Sequence, residues 1–242
     1  VHKNALRMGK LINELLDFRK QEQGFLQIKV SEQDLIKFLN EIVLTFKEYA
    51  DHRRITFSFK HSEPELKVWF DTNQMEKVIY NLLSNAFKFT PDDGEITVDV
   101  VVNGKVVNVI VADNGPGIQP KDMNRIFDRF YQAENNLSQD INSRGTGIGL
   151  ALAKGIVELH CGTIINENRS EGGSRFIVSL LMNDDHFKPE QKLSGSQLIS
   201  TYEINYTKPD ETFLNEIIGS QNLNAGKKYK ILVIEDNPEI LN

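Results

Sequence analysis

Apolar residues recur at helical intervals in some stretches of the chain and alternate with polar ones in others. Leu11, Ile12, Leu15, Leu16 and Phe18 make an apolar stripe that predicts a helix from Val1 to about Glu22. One helix cannot cover such a stripe, so it should pack on another helix or on a symmetry mate, as in a bundle. Gly24 breaks the pattern, and Phe25–Val30 reads as an extended connector. Ser31 is placed to cap a second helix whose buried face is Leu35, Phe38, Leu39, Ile42, Val43, Phe46 and Tyr49. Short β-type runs follow at Ile55–Phe59 and Leu66–Phe70. Asp71 and Gln74 have the spacing of a capping box for a third helix running to about Phe89.

Glu95–Val102 and Lys105–Ala112 are alternating, Val-rich runs joined by Asn103-Gly104, which predicts a hairpin. Gln132–Arg144 has few apolar anchors and reads as a mobile loop. Gly147–His160 has a helical pattern, with Gly162 as its stop. Thr163–Asn166 and Ser174–Leu181 complete the strands. The order predicts an α/β fold, a two-layer sandwich with helices on one face of a mixed β-sheet, preceded by one bundle-forming helix. From Asp184 to about residue 227 the composition turns polar and reads as a linker, with some local structure around Phe213–Ile218. Tyr229–Ile234 is then an apolar strand ending in Glu235-Asp236. The expected boundaries are therefore 1–23, 24–183, 184–227 and 228–242.

Composition narrows the classes. A net charge of −6 argues against nucleic acid as the main partner. Cys161 is the only cysteine, so no internal disulfide can form. No apolar run approaches the roughly 20 residues of a membrane helix.

Candidate chemistry falls in three places. Asn81, Asn85 and Lys88 lie at i, i+4 and i+7 and share one face of the third helix. An asparagine carbonyl suits Mg²⁺, and Lys88 would add a positive charge near phosphates; the same spacing also suits a solvated face. Asp113-Asn-Gly115-Pro-Gly117 follows a strand, where a carboxylate can accept from an exocyclic amine and glycines admit a ligand, or simply make a turn. Arg144-Gly145-Thr146-Gly147-Ile148-Gly149-Leu150 runs into a helix, and bare backbone there favours an anion. The string is neither a P-loop nor a dinucleotide fingerprint.

Together these strings resemble the catalytic and ATP-binding domain of sensor histidine kinases, within the gyrase, Hsp90, histidine kinase and MutL superfamily. The resemblance covers about Ser31 to Met182. Asn81, Asn85 and Lys88 match its asparagine box, Asp113–Gly117 its first glycine box and Gly145–Gly149 its second. Ile126-Phe-Asp-Arg-Phe130-Tyr131 is similar to its phenylalanine box, and Glu171-Gly-Gly-Ser174-Arg-Phe176 to its third glycine segment. Ser174 stands where Thr is common, and Cys161 where Gly is frequent. The resemblance implies a Bergerat-type ATP-binding fold in which Asp113 reads adenine, Asn85 holds Mg²⁺, and Asn81 and Lys88 contact the phosphate region. It also implies that Gly145, Gly147 and Gly149 cradle phosphates under a lid of residues 132–144, and that Arg144 reaches the terminal phosphate. Asn81 stands where hydrolysing relatives have Glu, and an amide cannot take a proton from water.

The family's acceptor motif, His-Glu/Asp-x-Arg/Lys-Thr/Asn-Pro, is not matched at His2 or at His52, His61, His160 or His186. His160 reads as a helix-end residue and the others as surface. Residues 4–20 resemble the second helix of the dimerisation hairpin, so the acceptor histidine is expected on a helix outside this chain. Lys230–Pro238 resembles the first strand of a receiver domain. The implied whole is a hybrid two-component sensor, a homodimer whose cytoplasmic part this chain represents, anchored in a bacterial inner membrane. Its implied partners are ATP, Mg²⁺, the acceptor-histidine helix and a receiver domain.

Overall fold

The computed structural model describes Arg19, Gln23 and residues 25–133 and 147–193. The predicted first helix apart from Arg19, nearly all of the 132–144 loop, the 213–218 segment and the strand at 229–234 lie outside the described residues.

The body is a five-stranded mixed sheet in the order β2-β4-β5-β7-β6 with helices on one face, as the pattern predicts. Its strands are β2 (Thr56–His61), β4 (Glu95–Asn103), β5 (Val106–Asp113), β6 (Thr163–Asn168) and β7 (Ser174–Leu181). Only β2 and β4 pair in parallel; the other neighbours are antiparallel. A second, two-stranded sheet joins β1 (Ser31–Asp34) to β3 (Lys67–Phe70). The helices are α1 (Leu35–His52), α2 (Thr72–Phe89) and α3 (Gly149–Leu159). Period-two burial explains the layering: Val107, Val109 and Val111 of β5 enter the core, while Val106, Asn108 and Ile110 face away from it.

The helix side of the core is aromatic. Phe87 stacks on Phe46 with centroids 5.3 Å apart and meets Phe57 edge-on at 5.2 Å, joining α2, α1 and β2. Arg53, just past α1, donates to the Phe87 and Thr90 carbonyls at the end of α2 at 2.5 and 2.8 Å. Its charge also complements the negative end of that helix.

Several boundaries differ from expectation. Ser31 does not cap α1 but opens β1, pairing with Phe70. The cap is Asp34, whose Oδ1 accepts from the Ile36 and Lys37 amides and from Leu66 across the sheet. Pairing with β3 consumes the backbone of residues 31–34, so the helix starts only where a carboxylate can take over. α3 begins at Gly149 rather than Gly147, whose φ of +70° is not helical. At its other end Cys161, not Gly162, takes the left-handed position, with φ +56°. Gly162 is needed instead for close approach, since a Cβ there would meet the Ser179 carbonyl at 2.5 Å.

Residues 184–193, read as the start of a linker, pack on the body. Phe187 is buried with Ile28 and Val30, and Val30 bridges to Lys192. His186, expected on the surface, is half-buried, and its ring lies 3.9 Å from that of Phe187. No helix among the described residues is long and apolar enough to cross a membrane.

Candidate nucleotide-binding site

The candidate residues converge between α2, the end of β5 and the start of α3. Asp71 caps α2 by accepting the Gln74 amide at 3.0 Å. Val78, Ile79, Leu82, Leu83 and Ala86 bury one side of this helix, which leaves Asn81 and Asn85 half-buried on the next face and Lys88 exposed. Asn81 Nδ2 donates to the Lys77 carbonyl at 2.9 Å, and its Oδ1 lies where a Cβ on Gly149 would stand. Gly149 is therefore required for α3 to start against the amide face of α2. The Asn85 carboxamide makes no side-chain hydrogen bond to other described residues and leaves an oxygen free. That is the donor a magnesium ion accepts.

Lys88 carries a second signal. It is exposed by total surface, yet burial of its ammonium pushes its pKa below the ordinary lysine value. No carboxylate among the described groups offsets this. Its Nζ sits 5.1 Å from the ring centroid of Phe89. A partly desolvated cation lacking an acidic partner is relieved by a bound anion.

Asp113 ends β5 and is only 4% exposed. Its Oδ1 accepts the Gly115 amide at 2.8 Å and its Oδ2 accepts the Ser174 hydroxyl at 2.6 Å. Oδ1 also accepts the Ser174 amide at 3.4 Å, so the remaining acceptor capacity is on Oδ2 and the carboxylate is oriented but not saturated. Gly173 permits this approach of β7 to β5: its φ is +92°, and a Cβ would collide with the Asp113 carbonyl. Gly115 packs against the Phe89 carbonyl, and Gly117 against Asn168 and the Gly173 carbonyl. The first and third glycine strings are thus brought together around Asp113.

The phenylalanine string forms a run of turns. Phe127 meets Phe176 edge-on at 6.2 Å, while Phe130 is 62% exposed. The Phe130 amide donates to the Gly147 carbonyl at 2.9 Å, so the residues flanking 134–146 lie side by side. Ile148 is buried, Leu150 packs against the core, and α3 opens without a side-chain cap. A helix start of this kind suits an anion. Arg144, Gly145 and Thr146 lie outside the described residues.

Sequence reasoning missed some supports. Asn168 donates to and accepts from the Ile118 backbone, at 2.7 and 2.8 Å, which holds the first glycine string in place. Arg169 donates to the Asp113 carbonyl at 3.2 Å. Asp122, 2% exposed, accepts the Tyr131 hydroxyl at 2.6 Å and ties the turns together. These residues sit in ordinary polar strings, and only their long-range contacts distinguish them. A polar hollow on the opposite face of the sheet, lined by Lys60, Asp99 and Arg175 among others, reaches Asn168 and Arg169 but none of the candidate nucleotide residues.

Residues 70–184 match the family described as histidine kinase-, DNA gyrase B- and HSP90-like ATPase. Histidine kinase P4 of Formosa agariphila is 35% identical over 98% of this chain and 17% of its own length. Sensor histidine kinase TmoS of Ectopseudomonas mendocina is 33% identical over 99% of this chain and 25% of its own length. The chain thus spans a quarter or less of these two relatives. The nucleotide-free catalytic domain of histidine kinase ThkA superposes with a TM-score of 0.57 at 28% identity, covering 64% of this chain and 97% of that one. Full-length ShkA in complex with AMPPNP shares the fold, with a TM-score of 0.63 at 23% identity over 72% of this chain and 35% of that one. Sequence match and fold agree, and the chain therefore belongs to this ATPase family as a histidine kinase-type catalytic ATP-binding domain.

Proposed function

We propose that this domain binds Mg·ATP and hands its γ-phosphoryl group to a histidine on a dimerisation helix outside the chain, for relay to a receiver aspartate. The observation that carries the reading is the buried Asp113 carboxylate, fixed by Ser174 and Gly115 across from the Asn81–Asn85 face and the open start of α3. Asp113 accepts the adenine amine. The α3 amides, Lys88 and Asn81 surround the phosphates, and Asn85 supplies an oxygen to Mg²⁺, which neutralises phosphate charge when bound. Gly145, Gly147 and Gly149 cradle the phosphates, and Arg144 reaches the terminal one. In transfer, the γ-phosphorus bond to the ADP oxygen breaks as a bond to the imidazole nitrogen forms. The protein works by positioning and charge stabilisation. Asn81, whose amide donates to Lys77, offers no base to activate water, which favours a protein acceptor over hydrolysis.

The wider reading is a hybrid sensor that dimerises through the stripe of Leu11, Leu15 and Phe18, with this domain on the cytoplasmic side of a bacterial inner membrane. It is supported by the resemblance of residues 4–20 and 230–238 to a dimerisation helix and a receiver strand, and by relatives much longer than this chain. The test uses radiolabelled ATP with this chain alone and mixed with a separate protein bearing the acceptor helix. Label on histidine only in the mixture is the expected result. Nucleotide binding without labelled histidine in any mixture overturns the kinase reading, and rapid phosphate release without an acceptor replaces it with hydrolysis.

A further inference from the structure

His160, the last residue of the α3 turn, is 1% exposed and makes two directional bonds. Its Nε2 accepts the backbone N–H of Asp71 at 3.0 Å, and its Nδ1 faces the Ile156 carbonyl at 2.8 Å. A ring nitrogen that accepts an amide proton carries none of its own, so the ring is neutral and Nδ1–H donates to Ile156. Asp71 is itself a junction. Its carboxylate accepts Gln74 at the start of α2 and the Lys29 amide of the incoming chain at 2.7 Å.

α2 and α3 therefore touch at two polar points. Asp71 meets His160 at one end, and Asn81 meets Gly149 at the other. Asp71 and Asn81 are ten residues apart and Gly149 and His160 eleven, about 15 and 16.5 Å along the two helices. The helices run antiparallel with matched spans. Between these points the interface is apolar, including Val78, Leu82, Ala153 and Ile156 of one core cluster. Apolar contacts are non-directional and tolerate sliding. A hydrogen bond into a buried ring does not.

We propose that His160 is a positioning residue for nucleotide binding: its bond to Asp71 sets the axial register of α2 against α3, and so aligns the Asn81–Asn85 face with the glycine-opened start of α3. This rests on the nucleotide reading above. The register matters because a displacement of about 1 Å is enough to lose most of a positioned interaction.

The test measures Mg·AMPPNP binding by calorimetry, with thermal unfolding in parallel, for the chain and its His160→Gln, His160→Asn and His160→Leu variants. Glutamine places an acceptor oxygen near the Nε2 position and can still take the Asp71 N–H. Asparagine reaches only Ile156, and leucine reaches neither. Gln is expected to bind within a fewfold of the native chain, and Asn and Leu roughly tenfold more weakly. If Leu does not fold, the contrast of Gln with Asn decides. Acid gives a second readout. A proton on Nε2 would oppose the Asp71 N–H, in a site faced by the Asp71 carboxylate and by His186, with Phe187 packed edge-on. Native affinity should fall below about pH 6.5 more steeply than that of Gln, and this difference removes titration of the nucleotide itself. Asn or Leu binding as well as the native chain overturns the proposal, as does Gln losing as much as Asn or an identical acid profile in the native chain and Gln. Absence of binding by the native chain overturns the nucleotide reading itself, and this inference with it.

Discussion

The Asp113 carboxylate is held between the Ser174 hydroxyl and the Gly115 amide, so its direction is set before a ligand arrives. Asp113→Ala should cost about 1.5–3 kcal/mol of nucleotide affinity, at least tenfold in Kd, as read by calorimetry with Mg·AMPPNP. Ser174→Ala should cost less, because it frees the carboxylate to turn without removing it. Gly149→Ala puts a methyl where Asn81 Oδ1 lies, forcing the amide aside. The expected result is weakened binding with a thermal midpoint lowered by only a few degrees. Asp113, Asn81 and the glycines were legible in the sequence because their chemistry is unusual for their positions. Asn168, Arg169 and Asp122 were not, since an ordinary polar residue acquires a role only through a distant partner.

At the scale of elements, the caps can be tested separately from the packing. Asp34 serves the Ile36 and Lys37 amides of α1 and Leu66 of the neighbouring segment. Asp34→Ala should therefore lose about 1–2 kcal/mol in chemical denaturation, while Ser31→Ala, which removes no helix cap, should change it by under about 0.5 kcal/mol. Helical periodicity placed α1 and α2 and most of the buried face of α1, because that signal is local. The start of α1 was misread because Ser31–Asp34 pairs with β3, and a pairing partner more than thirty residues away leaves no local mark. The same reason explains Cys161: only the docking of β6 after α3 shows which residue must turn left-handed and which must be small.

The described body depends on a main core shared by helices and sheet. Phe87 lies at its centre, and Phe87→Ala should cost about 3–5 kcal/mol, measured by urea unfolding. Burial holds the pKa of both His160 and His186 below the ordinary 6.5, with the neighbouring Ile156 carbonyl and Asp71 only partly opposing this at His160. The unfolded chain then binds protons that the native state refuses. Stability is full above about pH 6.5 and declines as pH falls from there toward the lowered native values. The thermal midpoint should drop between about pH 7 and 5, and His160→Gln should reduce the drop.

By itself the sequence determined the layer architecture, the hairpin, and the chemistry offered by Asn81, Asn85, Lys88, Asp113 and the glycines, because periodicity and residue type are properties of neighbours along the chain. The turn itself falls at Gly104-Lys105 rather than the expected Asn103-Gly104, since Asn103 pairs with Val106. Tertiary structure alone decided which groups meet: Ser174 on Asp113, Asn81 on Gly149, and His160 on Asp71. Those contacts join residues far apart in sequence, and only the folded sheet and its helices bring them within hydrogen-bond reach.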